Sequence, residues 1–173
     1  MLTARQKSMF SGFTYDIYSS ADALVGHLRW PHFAVATNAR LKMPGEVTNI
    51  RFDYRGQNYE IDFTYLRRGW SNDIRFTLKA DTQILAQADV LRQQKLLSRA
   101  AIIITTPFSG TVVRKSSLLR TRYEVSVNGV NAGTISEQSR LTLRRELAIK
   151  LTDAIATPVQ LFILFLVCNH AYR

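Results

Sequence analysis

The basic residues with the most distinctive spacing in this sequence lie on both sides of one short connection between two predicted strands. Arg114 and Lys115 precede this connection, and Arg120 and Arg122 follow it. The planar guanidinium group of arginine can donate two parallel hydrogen bonds to a phosphate or carboxylate. Because Arg120 and Arg122 are two residues apart, they share one face of a strand and can both reach a single anionic group. Together with Arg144 from a further basic cluster, these residues form the predicted site for an anionic head group.

Residue combinations that support catalysis or tight metal binding are scarce. The three histidines are His27, His32 and His170, and the chain has no Gly-x-Ser-x-Gly elbow, no His-Glu-x-x-His motif and no phosphate-binding Gly-x-x-x-x-Gly-Lys loop. His27 and His32 flank a predicted strand break, but two ligands are too few for a tetrahedral metal site. We therefore predict no enzymatic activity, no catalytic residue, no cofactor and no metal site.

Length and charge limit the class of protein. The chain has 173 residues, is 46% hydrophobic and carries a net charge of +10 with a pI near 10.2. These values predict a single globular domain whose partners are anionic. Cys168 is the only cysteine, so an internal disulfide is excluded, and residues 1–10 lack the apolar core of a signal peptide. We expect a cytoplasmic protein that can associate peripherally with a membrane, with a flexible leader over residues 1–10.

Alternation of apolar and polar residues predicts a mainly β fold. Asn128-Gly129 is the strongest hairpin signal, because both residues suit the positive φ of a tight turn. With the other turn signals it divides the chain into twelve predicted strands: 13–18, 23–30, 32–38, 49–54, 59–65, 73–79, 83–90, 101–106, 111–115, 121–127, 130–136 and 145–151.

The apolar run near the C-terminus determines how these strands must be arranged. All eight residues from Leu161 to Cys168 are apolar, so a helix from Pro158 to about Tyr172 is hydrophobic on every side and must be surrounded. The run is shorter than the roughly 18 residues that cross a bilayer. A twelve-stranded closed antiparallel barrel has an interior wide enough for one helix. The alternative, a β-sandwich with an end-capping helix, would leave one face of the helix in water.

Two stretches of the chain also show a similar order of features. Residues 84–105 and 130–151 each contain a hairpin return strand, a link rich in basic residues and leucine, and a further strand. The pattern predicts regular hairpin architecture.

The strand and helix patterns resemble the tubby C-terminal-like group, which includes tubby proteins, phospholipid scramblases and LURP-one-related proteins. The LURP-one-related and scramblase-like branch is the most similar. The resemblance covers most of residues 1–173 and rests on Tyr15–Tyr18, Leu24–Gly26, Arg122–Val125, Gly129, Gly133–Ser136 and Leu161–Cys168. It implies a single domain with twelve strands around a C-terminal helix. In tubby domains a Lys-x-Arg pair on a strand takes part in phosphoinositide binding, and Arg120-x-Arg122 has the same spacing.

Three classes of function fit these observations. The first is a non-enzymatic barrel that binds anionic phospholipid or phosphoinositide head groups. The second is a nucleic-acid-binding protein, which is disfavoured because aromatics such as Phe52, Tyr59 and Tyr123 fall on the buried parity and are unavailable for base stacking. The third is a protein-interaction barrel.

The basic residues also have a structural interpretation. On a solvated outer wall they would pair with Glu124, Glu137 and Glu146 instead of binding a ligand. Arg145 shares the parity of Leu147, which predicts a position at the mouth of the barrel, close to the carbonyl groups that end the helix.

Overall fold

The computed structural model describes residues 1–7, 13–30, 50–67, 73–91, 101–116, 121–138 and 145–171. These residues form twelve strands and one helix: β1 (Leu2–Gln6), β2 (Phe13–Tyr18), β3 (Leu24–Trp30), β4 (Ile50–Tyr54), β5 (Gln57–Arg67), β6 (Asp73–Ala80), β7 (Gln83–Leu91), β8 (Ala101–Thr106), β9 (Gly110–Ser116), β10 (Thr121–Val127), β11 (Val130–Glu137), β12 (Glu146–Leu151) and α1 (Thr157–Ala171). Each strand pairs antiparallel with its neighbour in the chain, and β1 pairs with β12 to close the barrel.

Alternating side chains explain why the strands form a barrel with a dry interior. On β6, Ile74, Phe76 and Leu78 are buried inside, whereas Arg75 and Thr77 lie on the outer wall. Adjacent strands repeat this pattern in register, so their inward residues form one continuous core. The predicted fold class, a closed twelve-stranded barrel, is confirmed.

Helix α1 fills the barrel. Every side chain from Leu161 to Cys168 is at most 1% exposed. Phe165 packs edge-on against Phe76, with ring centroids 5.4 Å apart. Pro158 lies in the first turn, where its missing N–H removes no intrahelical hydrogen bond. The helix is surrounded as predicted, and the sandwich arrangement is excluded.

The strand that closes the barrel differs from the prediction. Residues 2–6 form β1, so the expected flexible leader over residues 1–10 is wrong for this part of the chain. Leu2, Ala4 and Gln6 are buried, but the small Ala4 and the polar Gln6 hide the alternation in the sequence. The predicted strand at 32–38 lies outside the described residues. Strand β3 pairs directly with β4, so the barrel reaches twelve strands without it.

The two ends of the barrel have connections of different length. At one end, called here the turn end, the strands are joined by turns of two to five residues, and α1 enters the barrel. The connections at the opposite end, called here the loop end, have four to nineteen residues. The chain segments at the loop end are 7–12, 31–49, 68–72, 92–100, 117–120 and 138–145.

Three hairpins share one irregularity close to the turn end. The pairings β2–β3, β6–β7 and β10–β11 each skip one residue, namely Val25, Leu85 and Ala132. Such a β-bulge bends a strand and increases its twist. The regular spacing of the three bulges around the barrel extends the repetition that the sequence shows in residues 84–105 and 130–151.

Candidate anion-binding site

The structure divides the predicted site residues between two faces of the barrel. The register of β9 and β10 pairs Arg122 with Lys115, and Tyr123 with Arg114. Directly paired residues project to the same face of a sheet. Tyr123 is inside and only 1% exposed, so Arg114 also points inward, whereas Lys115 and Arg122 point outward.

Two members of the predicted set, Arg120 and Arg144, lie outside the described residues. The predicted set therefore contains an outward pair, which we call the outer pair (Lys115 and Arg122), and one inward arginine, Arg114. These residues do not form a single patch on one surface.

The outer pair lies at the loop end, next to the 117–120 connection. Both side chains are exposed, and the Nε atom of Arg122 is 4.0 Å from an oxygen of Glu124, in a solvent-exposed contact that contributes little stability. Within the described part of the chain, no acidic side chain forms an ion pair with Lys115. Directly opposed residues have Cβ atoms about 5 Å apart, so the two cations repel each other and an anion between them would relieve that repulsion.

The inner wall at the loop end has a polar half and an apolar half. From β3 to β8 its buried residues have hydrocarbon side chains: Leu28, Ile50, Phe63, Ile74, Val90 and Ile102. Tyr65, which lies beside Phe63, is the exception. From β9 through β12 to β1 and β2 the inward residues carry polar groups: Arg114, Tyr123, Glu137, Arg145, Gln6 and Tyr15. We call this second set the polar lining. It faces the last turns of α1, which carry the buried Cys168.

Arg145 lies at the mouth of the barrel, as its parity predicts. Its Nε atom donates a hydrogen bond to Glu137 over 2.8 Å, and both side chains are less than one-fifth exposed. The backbone N–H of Arg145 donates to the side-chain oxygen of Gln6. The proposed contact of Arg145 with the helix-end carbonyls stays a prediction.

Tyr123 carries a polar atom whose surroundings are unusual. Its hydroxyl is buried and has no hydrogen-bond partner among the described residues. Burial raises the pKa of Tyr123 although the nearby Arg114 and Arg145 oppose the shift, so the hydroxyl stays protonated at neutral pH. A buried hydroxyl without a partner costs about 1–3 kcal/mol, and such groups in native proteins are commonly satisfied by a water or a bound ion.

Among the described residues, the charged groups that act on Tyr123 sum to a positive value. Two guanidinium groups, of Arg114 and Arg145, face the single carboxylate of Glu137. The C-terminal end of a helix contributes about half a negative charge, which is too small to cancel the remaining positive charge. Burial raises the pKa of the Cys168 thiol to about 12, so this group adds no charge at neutral pH.

The histidine that the structure describes on a strand has a well-defined partner. On the outer wall, His27 Nδ1 lies 2.6 Å from a carboxylate oxygen of Asp16, which also contacts Lys7 Nζ at 3.2 Å. In the described ranges, no group of three His, Cys, Asp or Glu side chains comes together. His32 lies outside the described residues.

The inward position of Arg114 is the feature that sequence reasoning missed. Parity predicts the inner face for both Tyr123 and Arg145, but the position of Arg114 relative to them depends on the register between β9 and β10. The four-residue connection aligns Ser116 with Thr121, and this register places Arg114 opposite Tyr123. Assuming a symmetric hairpin around residues 117–120 would have given the same pairing.

Comparison with known proteins adds no further guide to function. In the parts of the chain that the structure describes, no helix is both long enough and apolar enough to cross a membrane. No protein-family model, curated protein or solved structure matches the chain.

Proposed function

We propose that the barrel associates reversibly and peripherally with anionic lipid surfaces through its loop end. The observation that carries this proposal is the distribution of charge between the two ends. The loop-end connections contain eleven of the 23 Lys and Arg residues and only one of the 13 Asp and Glu residues. The turn-end connections contain one basic residue, Arg55, and three acidic ones, Asp22, Asp81 and Asp153.

This asymmetry favours one orientation of the barrel on a charged surface. Each basic residue close to an anionic membrane contributes about 1 kcal/mol of attraction. The attraction falls off within the Debye length, about 8 Å at physiological salt, so only charges on the side facing the membrane contribute. An anionic surface therefore attracts the loop end and repels the turn end. In this orientation the axis of α1 would be roughly perpendicular to the membrane surface.

The outer pair is the described part of this face that is best suited to contact a head group. Lys115 and Arg122 are exposed, adjacent and at the loop-end margin of the wall. The lipid function expected from the resemblance to tubby C-terminal-like domains agrees with this proposal. Phosphoinositides, which carry several phosphates, are the lipids that such a pair would bind most strongly.

Nucleic acid is a weaker candidate because large aromatic side chains on the described strands are directed inward. Phe52, Tyr59 and Tyr123 are each at most 4% exposed, so none of them offers a face on which a base could stack. A protein partner has no specific observation in its favour.

The test is co-sedimentation with phosphatidylcholine vesicles that contain or lack phosphatidylserine or a phosphoinositide. Reversing the outer pair, with Lys115→Glu and Arg122→Glu, should weaken binding to anionic vesicles more than tenfold, because attraction is replaced by repulsion at two positions. Arg55→Glu with Lys150→Glu makes the same change in net charge near the turn end and is the matched control. The control variant should lose much less affinity.

Two results would contradict the proposal. Equal loss in both double variants would mean that net charge alone governs binding, and no loss in either would exclude a lipid-binding face at the loop end. Binding of a single-stranded oligonucleotide, measured at the same salt concentration, distinguishes a nucleic-acid partner. Tighter binding to the oligonucleotide than to the vesicles would favour that partner over the lipid.

A further inference from the structure

The polar lining contains a hydrogen-bond donor that the described residues leave unused. The Tyr123 hydroxyl is buried inside the barrel, at the end where α1 terminates, and has no partner among the described residues. Its ring is held firmly, since the residue is 1% exposed and pairs with Ile135 and Arg114 on the two adjacent strands. A fixed hydroxyl of this kind is suited to bind an oxygen atom that is not part of the protein.

Two arginine side chains act on this hydroxyl. Arg114 faces inward directly across the strand pair, and its Nε atom is buried. Arg145 is close enough to influence the ionisation of Tyr123, but its Nε is hydrogen-bonded to Glu137. The ion pair between Arg145 and Glu137 neutralises the only carboxylate of the polar lining. An anion beside Tyr123 would therefore be attracted by Arg114 and only weakly repelled by Glu137.

From this arrangement we infer that the loop-end interior of the barrel binds one oxyanion of the phosphate class, with Arg114 and Tyr123 as its ligands. The guanidinium group supplies charge and parallel N–H donors, and the neutral tyrosine hydroxyl supplies one further donor. Arg145 is a positioning residue, because its hydrogen bond to Glu137 offsets the charge of that carboxylate. This internal site is distinct from the outer pair and does not depend on the lipid-binding proposal.

The anion could be a free phosphate or the phosphate of a lipid head group, and both present the same oxygen atoms. Inorganic phosphate is therefore the probe, titrated into the full-length protein by calorimetry at constant ionic strength. Tyr123→Phe removes only the hydroxyl and keeps the packing of the ring. It should weaken phosphate binding about tenfold, since a hydrogen bond to a charged group contributes roughly that factor.

A second variant and a charge-matched control make the test specific. Arg114→Gln removes the charged ligand and should weaken phosphate binding more than Tyr123→Phe does. Arg29→Gln makes the same change in net charge at an exposed position on β3, near the same end of the barrel, and should leave phosphate affinity within twofold. Thermal melting of each variant checks that the barrel still folds.

The inference fails if millimolar phosphate does not bind the wild-type protein, or if Arg29→Gln weakens binding as much as Arg114→Gln. It also fails if Tyr123→Phe binds phosphate as the wild type does, because the hydroxyl would then serve an internal water. Vesicle binding by the same variants identifies the source of the anion. Weaker binding of Arg114→Gln to anionic vesicles points to a head group that enters the barrel, and unchanged vesicle binding points to a free phosphate.

Discussion

At the scale of single residues, the most informative group outside the candidate site is the Cys168 thiol. It is completely buried on α1, and burial raises its pKa to about 12, compared with about 8.5 for an exposed cysteine. The native thiol is therefore inert toward reagents that require the thiolate. We expect a thiol-reactive dye at neutral pH to label the protein only as fast as the barrel unfolds.

The same group makes stability depend on alkaline pH. Between about pH 9 and 12 the unfolded chain releases the Cys168 proton while the folded chain retains it, so the folded state binds more protons. Stability should therefore fall as pH rises, by at most about 1.4 kcal/mol per pH unit from this residue. Cys168→Ala should be less stable than the wild type at pH 7, where it has lost packing contacts, and the difference should shrink toward pH 11. Urea unfolding at a series of pH values measures both effects, and parallel pH profiles for the two proteins would contradict the prediction.

At the scale of elements, the three bulged hairpins place a small residue at equivalent positions. Gly26 on β3 and Gly133 on β11 each lie against the backbone of the following strand, and Ala86 on β7 occupies the third position. The carbonyls of the bulge residues Val25 and Ala132 accept hydrogen bonds from Arg55 N and Thr152 N, at 3.0 and 2.9 Å. The first and third hairpins are thus held by the same contacts.

The second hairpin shows what a larger residue does at this position. Ala86 carries a Cβ atom, and the adjoining pairing of β7 with β8 has a register shift between Gln87 and Ala88. Pro107 takes the place of Arg55 and Thr152, and it has no N–H to donate to the bulge carbonyl. The extra Cβ atom and the missing donor both fit the register shift between β7 and β8.

These contacts predict a graded response to adding one methyl group. A Cβ atom at Gly26 or Gly133 would lie 2.1 Å from the carbonyl oxygen of Asp53 or Lys150. Gly26→Ala should cost about 1–3 kcal/mol through overpacking, and Gly133→Ala should cost more, because its φ of 125° is also unfavourable for alanine. Gly129→Ala is the control, since its Cβ would have open space and only its φ of 80° is unfavourable. Chemical denaturation should rank the costs as Gly133, then Gly26, then Gly129, and equal costs would rule out the steric explanation.

How far the sequence predicts these elements depends on how strongly the inward and outward residues differ in size and polarity. β4 and β5 have large apolar residues alternating with charged ones, so their position and their inner face are evident from the sequence. β1 has the small Ala4 and the polar Gln6 on its inner face, so its sequence lacks the alternation that indicates a strand. The outward direction of Arg122 is evident from the parity of β10, whereas the outward direction of Lys115 and the inward direction of Arg114 both follow from the register between β9 and β10, which is a property of two strands together.

At the scale of the whole molecule, the barrel and the helix depend on each other. The inner wall is apolar over most of its length, and α1 is the element that covers it. A protein truncated before Pro158 would expose this surface and should be insoluble or should unfold without cooperativity. Circular dichroism during heating would show the difference, and a soluble fragment with a sharp melting transition would contradict it.

The charge asymmetry belongs to this largest scale as well. Composition alone gives a net charge of +10, which predicts anionic partners but not which end of the barrel faces them. The direction follows from the topology, because the up-and-down order of the strands brings every second connection to the same end. The longest and most basic connections are all in that alternate set, and this fact becomes visible only when the strands are counted correctly from β1.

Closure of the barrel by β1 and β12 has a consequence for synthesis of the protein. Leu2 pairs with Ile149, so one of the first strands to leave the ribosome must wait for one of the last. During this interval the growing sheet has two open edges and an uncovered apolar face, which are the features that promote aggregation of incomplete chains. Contacts between such distant parts of a chain also slow folding, because a large loop must close before any of them form. We expect newly made chains to require protection by chaperones until α1 has emerged and entered the barrel.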